Sequence, residues 1–226
     1  MKTWNPYDDY IDMYDGDKPI GWHPVKLSEL IREDIYFMGA YSQVQNTTRL
    51  VPDKAWLIYQ LTKNLPMGCI AELGVYHGGS AKFFCNIMPD RKYYGWDTFK
   101  GIPPSASELD DPNMVGEYVD DIETVREFVG YRDRVTFIKG IFPKSFDVPE
   151  YPWEPIAFAH IDTDTYEGTM AGLTEFYPLM VNGGLVVIDD YESCFKGVTP
   201  AVKRFLSDKP ESEMQLLMNQ AFFFKV

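Results

Sequence analysis

The chain has 226 residues, 45% of them hydrophobic, and 34 acidic against 21 basic side chains give it a formal net charge of −13. That length suits one α/β domain with a sizeable core, and the acidic excess excludes a protein that tracks a phosphate backbone, because such proteins concentrate Lys and Arg. Cys69, Cys85 and Cys194 are too few and too far apart for a disulfide framework or a zinc site. With neither an apolar leader nor a membrane-length run, these features predict a cytoplasmic chain without nucleic-acid or membrane partners.

Residues 1–65 are rich in Tyr, Asp and Trp, and helical spacing shows in Leu27, Leu30, Ile31 and Ile35 and again in Trp56, Leu57, Tyr59 and Leu61. They read as a helical cap or lid extension, with the main domain over 66–226. From residue 68 short apolar runs alternate with helix-length segments, as βαβ units with a parallel sheet require. Strands are predicted at 69–73, 92–97, 134–138, 156–162 and 184–189, and helices at 79–89, 121–130, 165–180 and 198–206. The apolar runs Met214–Met218 and Ala221–Val226, separated only by Asn219 and Gln220, suit a closing hairpin. A mostly parallel seven-stranded sheet with a C-terminal antiparallel hairpin resembles the outline of the Rossmann-like class I methyltransferase fold, a likeness that rests only in part on periodicity.

The segment from Cys69 to Ser80 runs from a strand through a glycine-rich turn into an apolar helix. Glycines there let backbone approach a ligand and present amides at a helix start. The turn matches neither the P-loop pattern nor a strict G-x-G-x-x-G. Glu72, two positions before Gly74, resembles the acidic residue of the first motif of adenosylmethionine enzymes, and Asp97 ends the next strand 25 positions later, where a carboxylate can accept from ribose hydroxyls. The candidate cofactor residues are Glu72, Gly74, Tyr76, Gly78, Ser80 and Asp97.

His160-Ile161-Asp162-Thr163-Asp164 closes the fourth strand and Ile188-Asp189-Asp190-Tyr191 the fifth. In an open parallel sheet both ends face one crevice, and clustered carboxylates there are best explained by a bound cation or free access to water. Hard oxygen donors select Mg²⁺ or another divalent cation. Asp162, Asp189 and Asp190 are the candidate metal ligands, and His160 and Asp162 the candidate proton acceptors. A lone His in an apolar strand is otherwise a hydrogen-bonded core residue. Asp164, followed three residues later by Glu167, reads as a helix N-cap in a capping box. Gly101, Pro103, Pro104 and Gly116 bracket a polar stretch over 99–120 that reads as a lid.

Taken together, Glu72-Leu73-Gly74-Val75, Asp97 to Pro103, Ile161 to Thr169 and Gly183-Gly184 leading to Asp189-Asp190-Tyr191 resemble the macrocin O-methyltransferase family over roughly residues 68–206. The resemblance implies S-adenosylmethionine, Mg²⁺ on Asp162, Asp189 and Asp190, and a small hydroxylated substrate such as a sugar or glycoside. Homo-oligomer contacts would then fall in the N-terminal segment. The competing expectations are a catechol or phenol methyltransferase and a non-catalytic cofactor-binding subunit.

Overall fold

The alternation of apolar runs with helical segments folds into one seven-stranded sheet, β1 (Cys69–Leu73), β2 (Tyr93–Asp97), β3 (Val135–Lys139), β4 (Ile156–Ile161), β5 (Met180–Asp189), β6 (Met214–Leu216) and β7 (Gln220–Phe224), in the order β3-β2-β1-β4-β5-β7-β6. The computed structural model describes residues 30–146, 154–216 and 219–226. Leu27 and the end of the 214–218 run lie outside them. β1 to β5 are mutually parallel, whereas β7 runs antiparallel to both β5 and β6. The class I methyltransferase outline and its reversed hairpin are therefore as the apolar pattern indicates.

Strands covered on both faces should read as near-continuous apolar runs, and β1 and β4 are buried at every position. On one face α1 (Ile35–Tyr41), α2 (Pro52–Thr62), α3 (Gly79–Ile87) and α4 (Ile122–Val129) pack through Phe37, Ile58, Phe83, Phe84 and Val125. On the other, α5 (Tyr166–Phe176) and α6 (Val198–Leu206) pack through Leu173, Phe176, Val198 and Val202. Among the described residues no helix is long and apolar enough to cross a membrane.

Two boundaries differ from the sequence expectation for one physical reason. The helix predicted over 165–180 ends at Phe176 and passes into a 3₁₀ turn at Tyr177–Leu179, because Pro178 lacks an amide and its ring crowds the preceding turn. The chain then extends at once, so β5 begins at Met180, opposite Ile156, rather than at residue 184. In the hairpin, Asn219 takes the left-handed conformation (φ 64°) and Gln220 already belongs to β7.

Strand order reverses at β1, whose neighbours β2 and β4 lead away in opposite directions, and a ligand crevice belongs beyond the carboxyl ends at such a point. Its floor depends on α3, where fully buried Phe84 meets Phe158 and His160 edge-on at centroid distances of 4.9 and 5.0 Å. Phe84→Ala should cost about 3–5 kcal/mol of stability in denaturant unfolding, the range for emptying a buried phenylalanine site.

Candidate active site

A cavity of about 370 Å³ opens at the carboxyl ends of β1, β2, β4 and β5. Gly74, Tyr76, Ser80 and Asp97 line it from one side, and Asp162, Asp164, Asp189 and Asp190 from the other. Glu72, Gly78 and His160 do not line it.

The glycine turn is shaped by contact with β4. Gly74 has φ +93°, and a Cβ there would stand 1.8 Å from the Asp162 carbonyl oxygen, so no other residue allows the approach. Gly74 N–H donates to the Trp96 carbonyl (2.9 Å) and Asp162 N–H to that of Leu73 (2.8 Å). Gly78, left-handed at φ 75°, is the N-cap of α3 and faces Val125 and Val129 rather than the cavity. Asp97 is more committed than a ribose-binding carboxylate need be: Oδ2 accepts from the Val75 and Tyr76 amides (2.8 and 2.9 Å) and Oδ1 from the Phe99 amide (2.6 Å). It braces the turn from below while still facing the cavity.

Glu72 is fully buried, accepting from the Tyr93 hydroxyl on one oxygen and lying 2.9 Å from His160 Nδ1 on the other. The sequence expectation that it lines a cofactor site is corrected: the alternation along β1 turns it into the core, where it holds His160, its register partner on β4. Desolvation in this interior and the neighbouring Glu72 carboxylate drive the Tyr93 hydroxyl well above its ordinary pKa. Burial opposes charge on His160, yet its bond to Glu72 and the nearby carboxylates prevail and hold its pKa above the usual histidine value. His160 is fully buried behind the cavity wall and does not line it, so the groups that face a substrate hydroxyl directly are the carboxylates of the wall.

The carboxylates converge. Oxygens of Asp162, Asp164 and Asp190 lie within 4.8 Å of one another, and so do ligand atoms of His160, Asp162 and Asp189. Burial, and then the repulsion of neighbouring carboxylates, drives Asp162 well above the ordinary aspartate value. Asp190 is raised by burial and by Asp189, and burial with the Asp190 contact lifts Asp164 to about 8. Charges this crowded fit a hard divalent cation, which would relieve the repulsion. Asp164 is not the helix cap that its spacing from Glu167 predicts. Thr165 caps α5, accepting from the Gly168 amide (3.1 Å), while Asp164 sits in a left-handed turn (φ 62°) that points it at Asp190. Glu167 instead accepts from the Ala106 amide (3.2 Å).

Lys54 is the functional candidate that sequence reading missed. From α2 its ammonium pairs with the buried Asp189 carboxylate, whose Oδ1 also accepts the Asp190 amide (3.0 Å). It is the sole basic residue between Leu50 and Thr62, and a lone cation in so apolar a helix was the available signal. The 99–120 stretch folds over the cavity mouth, placing Ile102 and Tyr118 in its lining. Across its neck the Ile102 carbonyl accepts from the Gly116 amide and the Ile102 amide donates to the Glu117 carbonyl, Asp120 pairs with His77, and Asp110 accepts from the Tyr166 amide (2.8 Å) at the start of α5.

A sheet of this order with a glycine turn facing acidic strand ends defines a Rossmann-like methyltransferase fold. The family model of the macrocin-O-methyltransferases (TylF) matches residues 53–225, and the chain belongs to that family. It is 32% identical to the mycinamicin III 3''-O-methyltransferase of Micromonospora griseorubida over 61% of this chain and 60% of that one. It is also 32% identical to the demethyldecarbamoylnovobiocin O-methyltransferase of Streptomyces niveus, over 58% of this chain and 55% of that one. The matches thus span under two thirds of these relatives' own length. The structure of the O-methyltransferase NovP superimposes with a TM-score of 0.67 at 25% identity, covering 79% of this chain and 82% of NovP.

The acidic cluster makes a prediction about the cation-free protein. Asp164 binds its proton more tightly folded than unfolded, so the folded state bears no penalty from it at low pH. The penalty grows as pH rises from the ordinary aspartate range through about 8. Thermal stability without divalent cations should fall across that window, and Asp164→Asn should flatten the fall.

Proposed function

We propose that this chain is an S-adenosylmethionine-dependent O-methyltransferase acting on a hydroxyl of a small molecule, a sugar or glycoside first among the classes, with a divalent cation, Mg²⁺ in the simplest case, held by Asp162, Asp189 and Asp190. The observation that carries this reading is the meeting of the glycine turn and the acidic strand ends in one cavity. The named relatives, both O-methyltransferases, support it. In this reading Gly74, Tyr76, Ser80 and Asp97 bind the methionine and ribose portions of the cofactor. The proposed division is residues 1–65 as an N-terminal extension and 66–226 as the methyltransferase domain, in an enzyme that works in the cytoplasm without nucleic-acid or membrane partners. Self-association into a homo-oligomer would use the N-terminal segment.

Methyl transfer from a sulfonium is an in-line displacement, so the protein must align oxygen, methyl and sulfur and remove a proton from the hydroxyl. Of the acidic groups on the cavity wall, Asp162 and the adjacent Asp164 are the carboxylates placed to accept that proton. S-adenosylmethionine, held by Gly74, Tyr76, Ser80 and Asp97, would supply the methyl group to that oxygen and leave as the neutral thioether. When bound, the cation supplies charge stabilisation for a developing alkoxide. Tyr118 and the loop over the mouth exclude water from the reacting atoms. The aromatic lining, with Tyr76, Trp96, Tyr118, Phe142 and Phe195, favours a catechol or phenol acceptor as the second reading.

The deciding experiment is transfer of labelled methyl from the cofactor to a panel of sugars, glycosides and catechols, with and without a chelator. Turnover on a glycoside that disappears with the cation is expected, and full turnover in verified metal-free protein would remove the cation from the mechanism. Asp162→Asn and Asp190→Asn should lower turnover far more than cofactor affinity. By calorimetry, Asp97→Ala should lose about 1.5–3 kcal/mol of cofactor binding, the worth of hydrogen bonds to a charged group; unchanged affinity would release Asp97 from that assignment.

A further inference from the structure

His160 presents a nitrogen that the hydrogen bonding of the interior does not satisfy. The residue is fully buried, Nδ1 lies against Glu72, and Nε2 has no hydrogen-bond partner. A bare polar atom in a protein interior is costly and uncommon. With Nδ1 taken by Glu72, Nε2 is the ligand atom that His160 has left to offer, and His160 groups with Asp162 and Asp189 within 4.8 Å. A protonated Nε2 would find a carboxylate to donate to, yet neither aspartate hydrogen-bonds it.

We propose that His160 Nε2 is a ligand of the divalent cation, joining Asp162 and Asp189 in a mixed nitrogen–oxygen site, and that Glu72 is the positioning carboxylate behind it. This rests on the cation-dependent reading above. Both Glu72 oxygens are already engaged, one by Tyr93 and one by His160. An ionised Glu72 accepts from Nδ1–H and so leaves the Nε2 lone pair free, the arrangement by which metal-binding imidazoles are commonly oriented. Ring rotation is resisted by Phe84 edge-on at 5.0 Å and Phe158 stacked at 6.5 Å. On Asp189, Oδ1 is occupied by Lys54 and the Asp190 amide, and Oδ2 remains for the cation. An imidazole donor moves preference away from Mg²⁺ toward Mn²⁺, Co²⁺ and Zn²⁺.

The test uses the full chain loaded with Mn²⁺ and read by pulsed electron paramagnetic resonance, a measurement independent of turnover. Directly coordinated ¹⁴N coupling is expected, changing to ¹⁵N coupling when the protein's three histidines are isotopically labelled. The labelled wild type needs no variant, so a folding defect cannot obscure the answer. His160→Gln should abolish the coupling, and His77→Gln, at the other histidine beside the cavity, should not. Glu72→Gln should weaken Mn²⁺ binding roughly 10–100-fold, as loss of an orienting partner does. Tight Mn²⁺ binding with oxygen and water couplings alone would overturn the proposal while leaving a cation-dependent enzyme intact. Folded protein that binds no divalent cation would overturn both.

Discussion

Gly74 resting against the Asp162 carbonyl is the contact on which the site depends. A strand end on β1 and a strand end on β4 approach until even a methyl group would collide with backbone, and the flanking bonds from Gly74 to Trp96 and from Asp162 to Leu73 hold them there. The distance between the glycine turn and the first aspartate is thereby set by the sheet itself rather than by side chains. Asp97 extends the same rigidity along the turn, since three amides, two following β1 and one following β2, share its carboxylate. A reaction that needs three atoms in line gains from a frame with so little play.

Beneath this frame lies polar chemistry in a place where apolar packing would be more stable. Glu72 and His160 are adjacent across the β1–β4 pair and fully buried, and Tyr93 joins them from β2. Taking such groups from water is expensive unless each finds a partner. Glu72 is well satisfied, whereas His160 Nε2 and both amide atoms of Gln220, opposite Asp189 on β7, are not. Both residues lie beside the acidic strand ends, His160 just before Asp162 and Gln220 paired with Asp189, where a sheet selected for stability alone would have valine or isoleucine.

Much of the fold was legible in the sequence because its signals are local: apolar runs of strand length, a glycine turn between strand and helix, and two apolar runs close enough for a hairpin. Asp162, Asp189 and Asp190 were legible as strand-end acids for the same reason. What failed depended on geometry a spacing rule cannot carry. Asp164 has the offset of a cap, but its left-handed backbone shifts the helix start by one residue and hands the cap to Thr165. Glu72 has the position of a ligand-binding acid, yet strand alternation points it inward. Lys54 lies 135 residues from Asp189, and nothing short of the folded chain brings the two together.

The bond from Asp110 to the Tyr166 amide ties the loop over the cavity to the first turn of α5. That turn follows directly on Asp162, Thr163 and Asp164, so loosening the loop uncovers a helix-start donor beside the acidic cluster. Were the loop to open, thermodynamic reciprocity would require that whatever orders the cluster favours closure by the same free energy. Through one hydrogen bond the loop that encloses the cavity is joined to the turn that follows its acidic wall.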